Sequence, residues 1–516
     1  MLNPDILLVK PGSQRQIYSH LSDSGLTAIE PPLWSALLAA FFRDQGWRVE
    51  ILDAEILRLS WEQTALEIAQ LHPRLVVIMV SGSNPSASTM NMAGAGEILR
   101  LLKKSSPEIP TALWGLHPSA LPERTLREEA ADFVVQGEGF HTLPALLTAL
   151  RDGQTLKGIP GLWRREGGIP VAGSLAPVWT DLDTLPRPAW EMLPITAYRA
   201  HNWHCLGHLA NRQPYAVLYT SMGCPFHCSF CCVNSLFGGP GLRCRDVSKV
   251  IEEVDFLVES FGVRHIKIID EMFAFDEARV VRLCQQIADR GYDLNMWAYG
   301  RVNTVTGRML GAMKKAGINW IAYGFESASA RVLKDVSKGY QPRQVENVVR
   351  LTEQEGLHIN ANFIFGLPED DMASLGATLD LACQINAAWA NFYPALAFPG
   401  SALFERAQQE NWPLPKSWSG YSPYSKETLP LPTKYLSGPE VLAFRDRAFH
   451  AYFQRPEYLA KIRATFGQEA LEHIIAMTEM PLVREHVPAQ GDSALRTRAV
   501  EACSAAEPTV DLGVRA

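Results

Sequence analysis

A chain of 516 residues is longer than one hydrophobic core organises, so two to four domains are expected. Its 47% hydrophobic and 20% charged residues exclude a disordered or fibrous chain, and a net charge of -7 without any Lys/Arg run excludes the basic face of a nucleic-acid binder. The opening MLNPDILLVKPG lacks the regions of a signal peptide, and the longest apolar runs, such as 75–80, fall far short of a membrane span, so a soluble, cytoplasmic chain is expected.

Residues 1–150 alternate strand-like and helix-like segments. Strands are predicted at 5–9, 48–52, 75–80, 111–115 and 132–137, with helices at 33–46 and 90–104 and Gly46 placed to end the first. Short apolar strands alternating with helices imply a parallel sheet covered on both faces. Five such units predict a doubly wound, flavodoxin-like α/β domain whose ligands sit at the carboxyl ends of its strands. Residues 151–213 break the pattern and are read as an extended connector, most plainly at 181–194 with its three prolines.

Alternation resumes at 215–221 and runs through strand candidates at 265–270, 294–300, 320–326, 359–366 and 390–397. A closed eight-unit barrel takes about 250 residues, so the six units of 214–408 predict a partial (β/α)6 barrel with its chemistry on the loops after the strands. Residues 438–467 have helical apolar spacing and are read as part of a helical cap over 409–485, with 486–516 as a tail.

Four of the nine cysteines fall within YTSMGCPFHCSFCCVN. In a reducing compartment such clustering points to metal or redox chemistry. Cys224, Cys228 and Cys231 have the spacing C-x3-C-x2-C. Three ligands on one loop hold three irons of a [4Fe-4S] cluster and leave the fourth open, whereas electron-transfer clusters use four cysteines. Cys232 directly follows Cys231, and adjacent residues rarely aim both sulfurs at one cubane. Zinc is the rival reading, since it too takes clustered thiolates, but it usually wants a second ligand pair.

GCPFHCSFC, immediately after the first strand of a six-unit βα domain, resembles the radical S-adenosylmethionine (SAM) superfamily. The resemblance implies that the open iron chelates SAM and that an electron from the cluster cleaves it to methionine and a 5'-deoxyadenosyl radical. It also places Phe230 beside the adenine. Motifs at later strand ends fit the same scheme: Asp270 and Glu271 after the second strand, Arg301 after the third, Glu326 and Ser327 after the fourth, Gly366 after the fifth. Singly, such residues have structural explanations, because acids cap helices and glycines turn corners. Their ordered recurrence carries the resemblance. Cys232 is then a structural thiol or a radical-quenching group, and with Tyr299 and Arg301 it is a candidate catalytic residue. Asn234, Trp297, Tyr299, Arg301 and Tyr393 are expected at the pocket rim. An Arg among aromatic residues suits a sugar, or a carboxylated or phosphorylated small molecule.

A doubly wound domain ahead of a radical SAM domain resembles the class whose N-terminal module binds cobalamin. That resemblance implies cobalamin contacts from Ser81, Gly82 and Ser83, from Gly115 and His117, and from Gly137, Glu138 and Gly139. No D-x-H-x-x-G is present, so cobalt is expected without a histidine below it. The implied chemistry is radical methylation: one SAM methylates reduced cobalamin, and a second gives the radical that takes hydrogen from the substrate. The partners implied are a small-molecule substrate, such as a sugar or natural-product intermediate, and a flavodoxin- or ferredoxin-type electron donor. The alternatives are oxidative cyclisation, rearrangement or dehydration on the same layout, a domain that has lost its cobalamin, and a non-catalytic iron–sulfur or cobalamin sensor.

Overall fold

The computed structural model describes residues 3–82 and 88–487, so the expectations for Ser83 and for the tail beyond 487 lie outside the described residues. Five parallel strands, β1 (Ile6–Lys10), β2 (Val49–Asp53), β3 (Val76–Val80), β4 (Thr111–Gly115) and β5 (Phe133–Val135), pair in the order β2-β1-β3-β4-β5. This is the flavodoxin-like order, which reverses direction between β1 and β3. Strand periodicity divides the side chains between two cores. Ile6 and Leu8 pack with helix Leu33–Asp44, while Leu7 and Val9 pack with helices Trp61–Leu71 and Met92–Ser105.

One part of the sequence reading is corrected here. Within the segment read as a connector, β6 (Leu162–Glu166) and β7 (Ile169–Ala172) form an antiparallel hairpin that extends the first sheet beyond β5. Gly167 and Gly168, at φ 58° and 84°, make its two-residue turn. A Gly-Gly pair between short strands favours that hairpin geometry.

The second sheet starts at β8 (Tyr215–Leu218). A short antiparallel pair, β9 (Ser221–Met222) and β10 (Arg243–Cys244), brackets the cysteine loop. Then follow β11 (His265–Ile268), β12 (Asn295–Gly300), β13 (Ile318–Glu326), β14 (His358–Phe365) and β15 (Trp389–Pro394). With β8 they make a six-stranded parallel sheet in sequential order, with β8 and β15 at its edges: an open barrel. Helices Gly438–Phe453, Pro456–Phe466 and Gln468–Thr478 form the C-terminal cap. Arg445 Nε donates to Phe392 O at 2.6 Å, and Tyr452 OH to Ala387 O at 2.7 Å, so the cap covers the β15 edge.

The two sheets are joined by buried contacts. Glu30, in the loop before helix Leu33–Asp44, lies 3.0 Å from Lys267 Nζ on β11 and accepts a hydrogen bond from Tyr215 OH at 3.1 Å. One apolar core runs from Ile6 through Trp190 and Tyr215 to Ile474. Among the described residues no helix is long and apolar enough to cross a membrane.

Candidate active site

A cavity of about 640 Å³ lies where the carboxyl ends of both sheets meet. The first sheet contributes Lys10 at the end of β1, Glu55 beyond β2, and Ser81 and Gly82 beyond β3. Inward-facing residues of the second sheet, the cysteine loop, the segment ahead of helix Leu33–Asp44 and the C-terminal cap supply the rest. Ala322 and Gly324 on β13 are small, and they leave room between Tyr299 on β12 and Asn360 and Asn362 on β14.

Cys224, Cys228 and Cys231 all line this cavity, whereas Cys232 is 2% exposed and does not. The loop that carries them is tied down along its length. Ser229 N donates to Val336 O (3.1 Å), Leu403 N to Ser229 O (2.7 Å), Gly241 N to Cys224 O (3.1 Å) and Asn234 Nδ2 to Phe226 O (3.1 Å). Asn234 therefore braces the loop and is absent from the cavity wall where the sequence reading put it. Among the described residues no three His, Cys, Asp or Glu side chains converge on a single ion, as a mononuclear zinc site requires. A cubane differs, because each thiolate takes its own iron. The three thiols on one braced loop, open to a cavity, fit a [4Fe-4S] cluster with an open iron. Burial pushes the Cys231 thiol up to about 12, so ligation has to displace a proton. The chain's H-x3-H pair, His204 and His208, lies at the other end of the barrel and does not join the thiols. There His204 accepts on its carbonyl from Asn295 Nδ2 at the start of β12.

Around the thiols the structure gathers Phe230, Glu271, Tyr299, Arg301 and Glu326 on the cavity wall. Arg301 stacks 3.9 Å over the Phe226 ring, donates to Asn303 Oδ1 at 2.9 Å and sets Nη1 3.5 Å from Cys228 Sγ. Glu271 accepts from Tyr219 OH and Gly223 N, each at 2.9 Å, and burial pushes its carboxyl up to about 7. Glu326 has φ 55°, at a register shift between β13 and β14, and it meets Lys338 Nζ at 2.6 Å. A non-glycine residue held at positive φ is uncommon and collects at functional sites.

Three residues expected around SAM do not reach the cavity wall. Asp270 is fully buried, and its carboxylate accepts from Thr220 N, Thr220 Oγ1 and Ser221 Oγ at 2.5–2.7 Å, so it fixes the approach to the cysteine loop. Ser327 is fully buried beside Thr378 Oγ1 at 3.2 Å. Gly366 faces Val441 of the cap helix.

For cobalamin the outcome also divides. Ser81 and Gly82 line the cavity, while Gly115, His117, Gly137, Glu138 and Gly139 do not. His117 is buried with Nδ1 3.2 Å from Thr89 Oγ1 and its ring 4.5 Å from that of Trp418, and burial holds it down at about 3. Glu138 pairs with Arg243 Nη2 at 2.6 Å and accepts from Trp179 N at 2.7 Å, which clamps the first sheet to β10. The carboxyl ends of β1, β2 and β3, through Lys10, Glu55, Ser81 and Gly82, open onto the same cavity as the thiols, so cobalamin seated on them would face the cluster.

Several cavity residues escaped the sequence reading. Lys338 belongs to no motif, and Glu30 is far in sequence from its partner Lys267. A signal did exist for Asn360 and Asn362. A parallel strand buried on both faces reads as an unbroken apolar run, and two Asn at i and i+2 in INANFIFG interrupt it.

Comparison with known proteins agrees with the two-part layout. The family model of the B12 binding domain matches residues 26–147, and that of the Radical SAM superfamily matches residues 218–382. An uncharacterized methyltransferase of Pyrococcus horikoshii is 31% identical over 457 residues, 88% of this chain and 94% of that protein. An anaerobic magnesium-protoporphyrin IX monomethyl ester cyclase of Rubrivivax gelatinosus is 27% identical over 383 residues, 73% of this chain and 66% of its own. In fold, the chain is similar to the cobalamin-dependent S-adenosylmethionine radical enzyme OxsB, solved with aqua-cobalamin and S-adenosylmethionine bound. The TM-score is 0.67 at 15% identity, covering 97% of this chain and 78% of that one.

Proposed function

The chain belongs to the radical SAM enzymes that carry an N-terminal B12-binding domain, and from that premise we propose that it methylates an unactivated carbon of a small molecule. The observation that carries the proposal is one shared cavity, onto which both the three thiols and the carboxyl ends of β1, β2 and β3 open. When bound, the cluster and SAM supply a carbon-centred radical, and cobalamin supplies the methyl group.

The chain's own residues do the positioning. Cys224, Cys228 and Cys231 hold the cluster. Arg301, which among the described residues is the only Lys or Arg on the cavity wall without a carboxylate partner, stands beside Cys228, where it would hold the carboxylate of SAM. The Glu326–Lys338 pair and Phe230 would bracket the nucleoside, since Lys338 Nζ is 5.7 Å from the Phe230 ring. The cap covers the β15 side and keeps water and oxygen from a radical. The division of labour we infer is 1–150 for cobalamin, 214–408 for the cluster and SAM, and 409–485 for closure.

The methyltransferase name of the Pyrococcus horikoshii relative supports the methylation reading, and the Rubrivivax gelatinosus relative supports a second reading, oxidative cyclisation without methyl transfer. A substrate-free test separates them. Anaerobic protein with reduced cobalamin and SAM is expected to give one equivalent of S-adenosylhomocysteine per bound cobalamin. Bound cobalamin with no S-adenosylhomocysteine would favour cyclisation.

A further inference from the structure

The cavity wall formed by β14 and β15 carries three carboxamides, Asn360, Asn362 and Asn391. Their polarity follows from hydrogen-bond chemistry alone. The Trp389 indole N–H can only donate, so the Asn391 atom 3.0 Å from it is Oδ1. Asn391 Nδ2 therefore faces the other two residues, and it donates to Asn360 Oδ1 and Asn362 Oδ1, each at 3.0 Å. Asn362 Nδ2 donates to the main-chain oxygens of Tyr323 (3.0 Å) and Asn360 (3.2 Å). What remains is Asn360 Nδ2. It has no protein partner among the described residues, although Asn360 is only 3% exposed and lines the cavity. This donor opens on the cavity, where only the cavity's contents can accept from it, so it is placed for a ligand.

The charges around it are already matched. Lys267 pairs with Glu30 at 3.0 Å, Lys338 with Glu326 at 2.6 Å, Arg445 with Asp446 at 2.8 Å and Lys10 with Glu55 at 3.5 Å. Arg301 is held at the cluster end beside Cys228. A carboxylated or phosphorylated substrate would have to break one of these pairs to find a cation. Trp389 and Trp297 add flat apolar surface to the same cavity.

We propose that Asn360 Nδ2 is the recognition donor of the substrate subsite, and that the substrate is neutral, with a flat apolar body and a carbonyl-type oxygen that accepts this hydrogen bond. The proposal rests on the cavity being the active site of a radical enzyme. Asn391 is a positioning residue: its polarity is fixed by the Trp389 N–H on one side and by Asn362, itself held on two main-chain oxygens, on the other, and its Nδ2 holds Asn360 Oδ1 so that Asn360 Nδ2 turns to the cavity.

The test uses full-length protein loaded with cluster and cobalamin, titrated by ligand-observed NMR with 1-indanone (acceptor), indane (neither), indole (donor) and indane-1-carboxylate (anion). On the wild type, 1-indanone is expected to bind about tenfold tighter than the other three. Asn360→Asp, which replaces the donor with an acceptor, should abolish that preference. Asn391→Asp, whose carboxylate can only accept, should draw Asn360 Nδ2 away from the cavity and present its Oδ1 instead, so that indane binding stays in place while 1-indanone loses its advantage over indole. The variants change different residues of the triad, so loss of fold in one leaves the other decisive. Tightest wild-type binding by the carboxylate, equal binding of 1-indanone and indane, or a 1-indanone preference that survives in a folded variant would each overturn the proposal. Formation of S-adenosylhomocysteine, measured on the same wild-type preparation without a probe, judges the methylation reading separately.

Discussion

Cys231 and Cys232 are neighbours with opposite surroundings, one on the cavity wall and one inside the core. Replacing Cys231 with Ala is expected to abolish the cluster's visible absorbance and its iron. Cys232→Ser should keep the iron content, since its side chain does not reach the cavity. Cluster retention in Cys231→Ala, read by iron analysis, would remove that residue from the ligand set. His117 gives a pH prediction. Folded, it holds no proton above about pH 3, whereas the unfolded residue binds one below its ordinary value near 6.5. Protons therefore favour the unfolded chain, and stability falls as pH drops from about 6.5 toward 3. His117→Gln should flatten, though not remove, that acid limb of melting temperature against pH, because burial also holds His201 down at about 3. At this scale the sequence was half legible. Asp270 and Glu271 both stand out at a strand end, yet only Glu271 shares the parity of the inward-facing Lys267 and Ile269. Motif matching ignores that parity, and the side-chain alternation of a strand enforces it.

Among the elements, strand ends decide where chemistry sits. The six barrel strands lie within three residues of their predicted bounds, because apolar runs between helices are strong signals. The β6–β7 hairpin was obscured by the prolines that follow it, although its Gly-Gly turn stands in the sequence. Gly366, after β14, tests how closely the cap is fitted. Its φ is 88°, and an added Cβ would collide with the Val441 side chain on helix Gly438–Phe453. Gly366→Ala is expected to cost about 2–5 kcal/mol, the sum of positive-φ strain and overpacking. Adding Val441→Ala should recover only the packing share. Urea denaturation of the single and double variants separates the two parts, and a Gly366→Ala protein as stable as the wild type would show that the cap is not seated on this turn.

For the molecule as a whole, the buried Glu30–Lys267 pair ties the first domain to the barrel. No sequence motif marks it, because neither residue has a local reason to be charged and buried. Only the assembled fold brings them together. Breaking such a pair leaves one charge uncompensated, so Glu30→Gln should destabilise the protein by roughly 3–5 kcal/mol, whereas Glu30→Met with Lys267→Met should cost less. Because one core spans both sheets, thermal melts followed by cobalamin absorbance and by far-ultraviolet circular dichroism should coincide. Two separated transitions would show that the domains unfold independently.

The same pair has a consequence for how the protein is made. Glu30 and Lys267 lie 237 positions apart. Translation at roughly 5–20 residues per second therefore leaves a nascent chain on the order of 12–50 s with the carboxylate unmatched and the shared core half built. The N-terminal domain emerges first but cannot finish until the second barrel strand arrives. Soluble yield should then depend on how chaperones shield that unfinished face on the ribosome, and a fragment ending near residue 150 should be recovered bound to them.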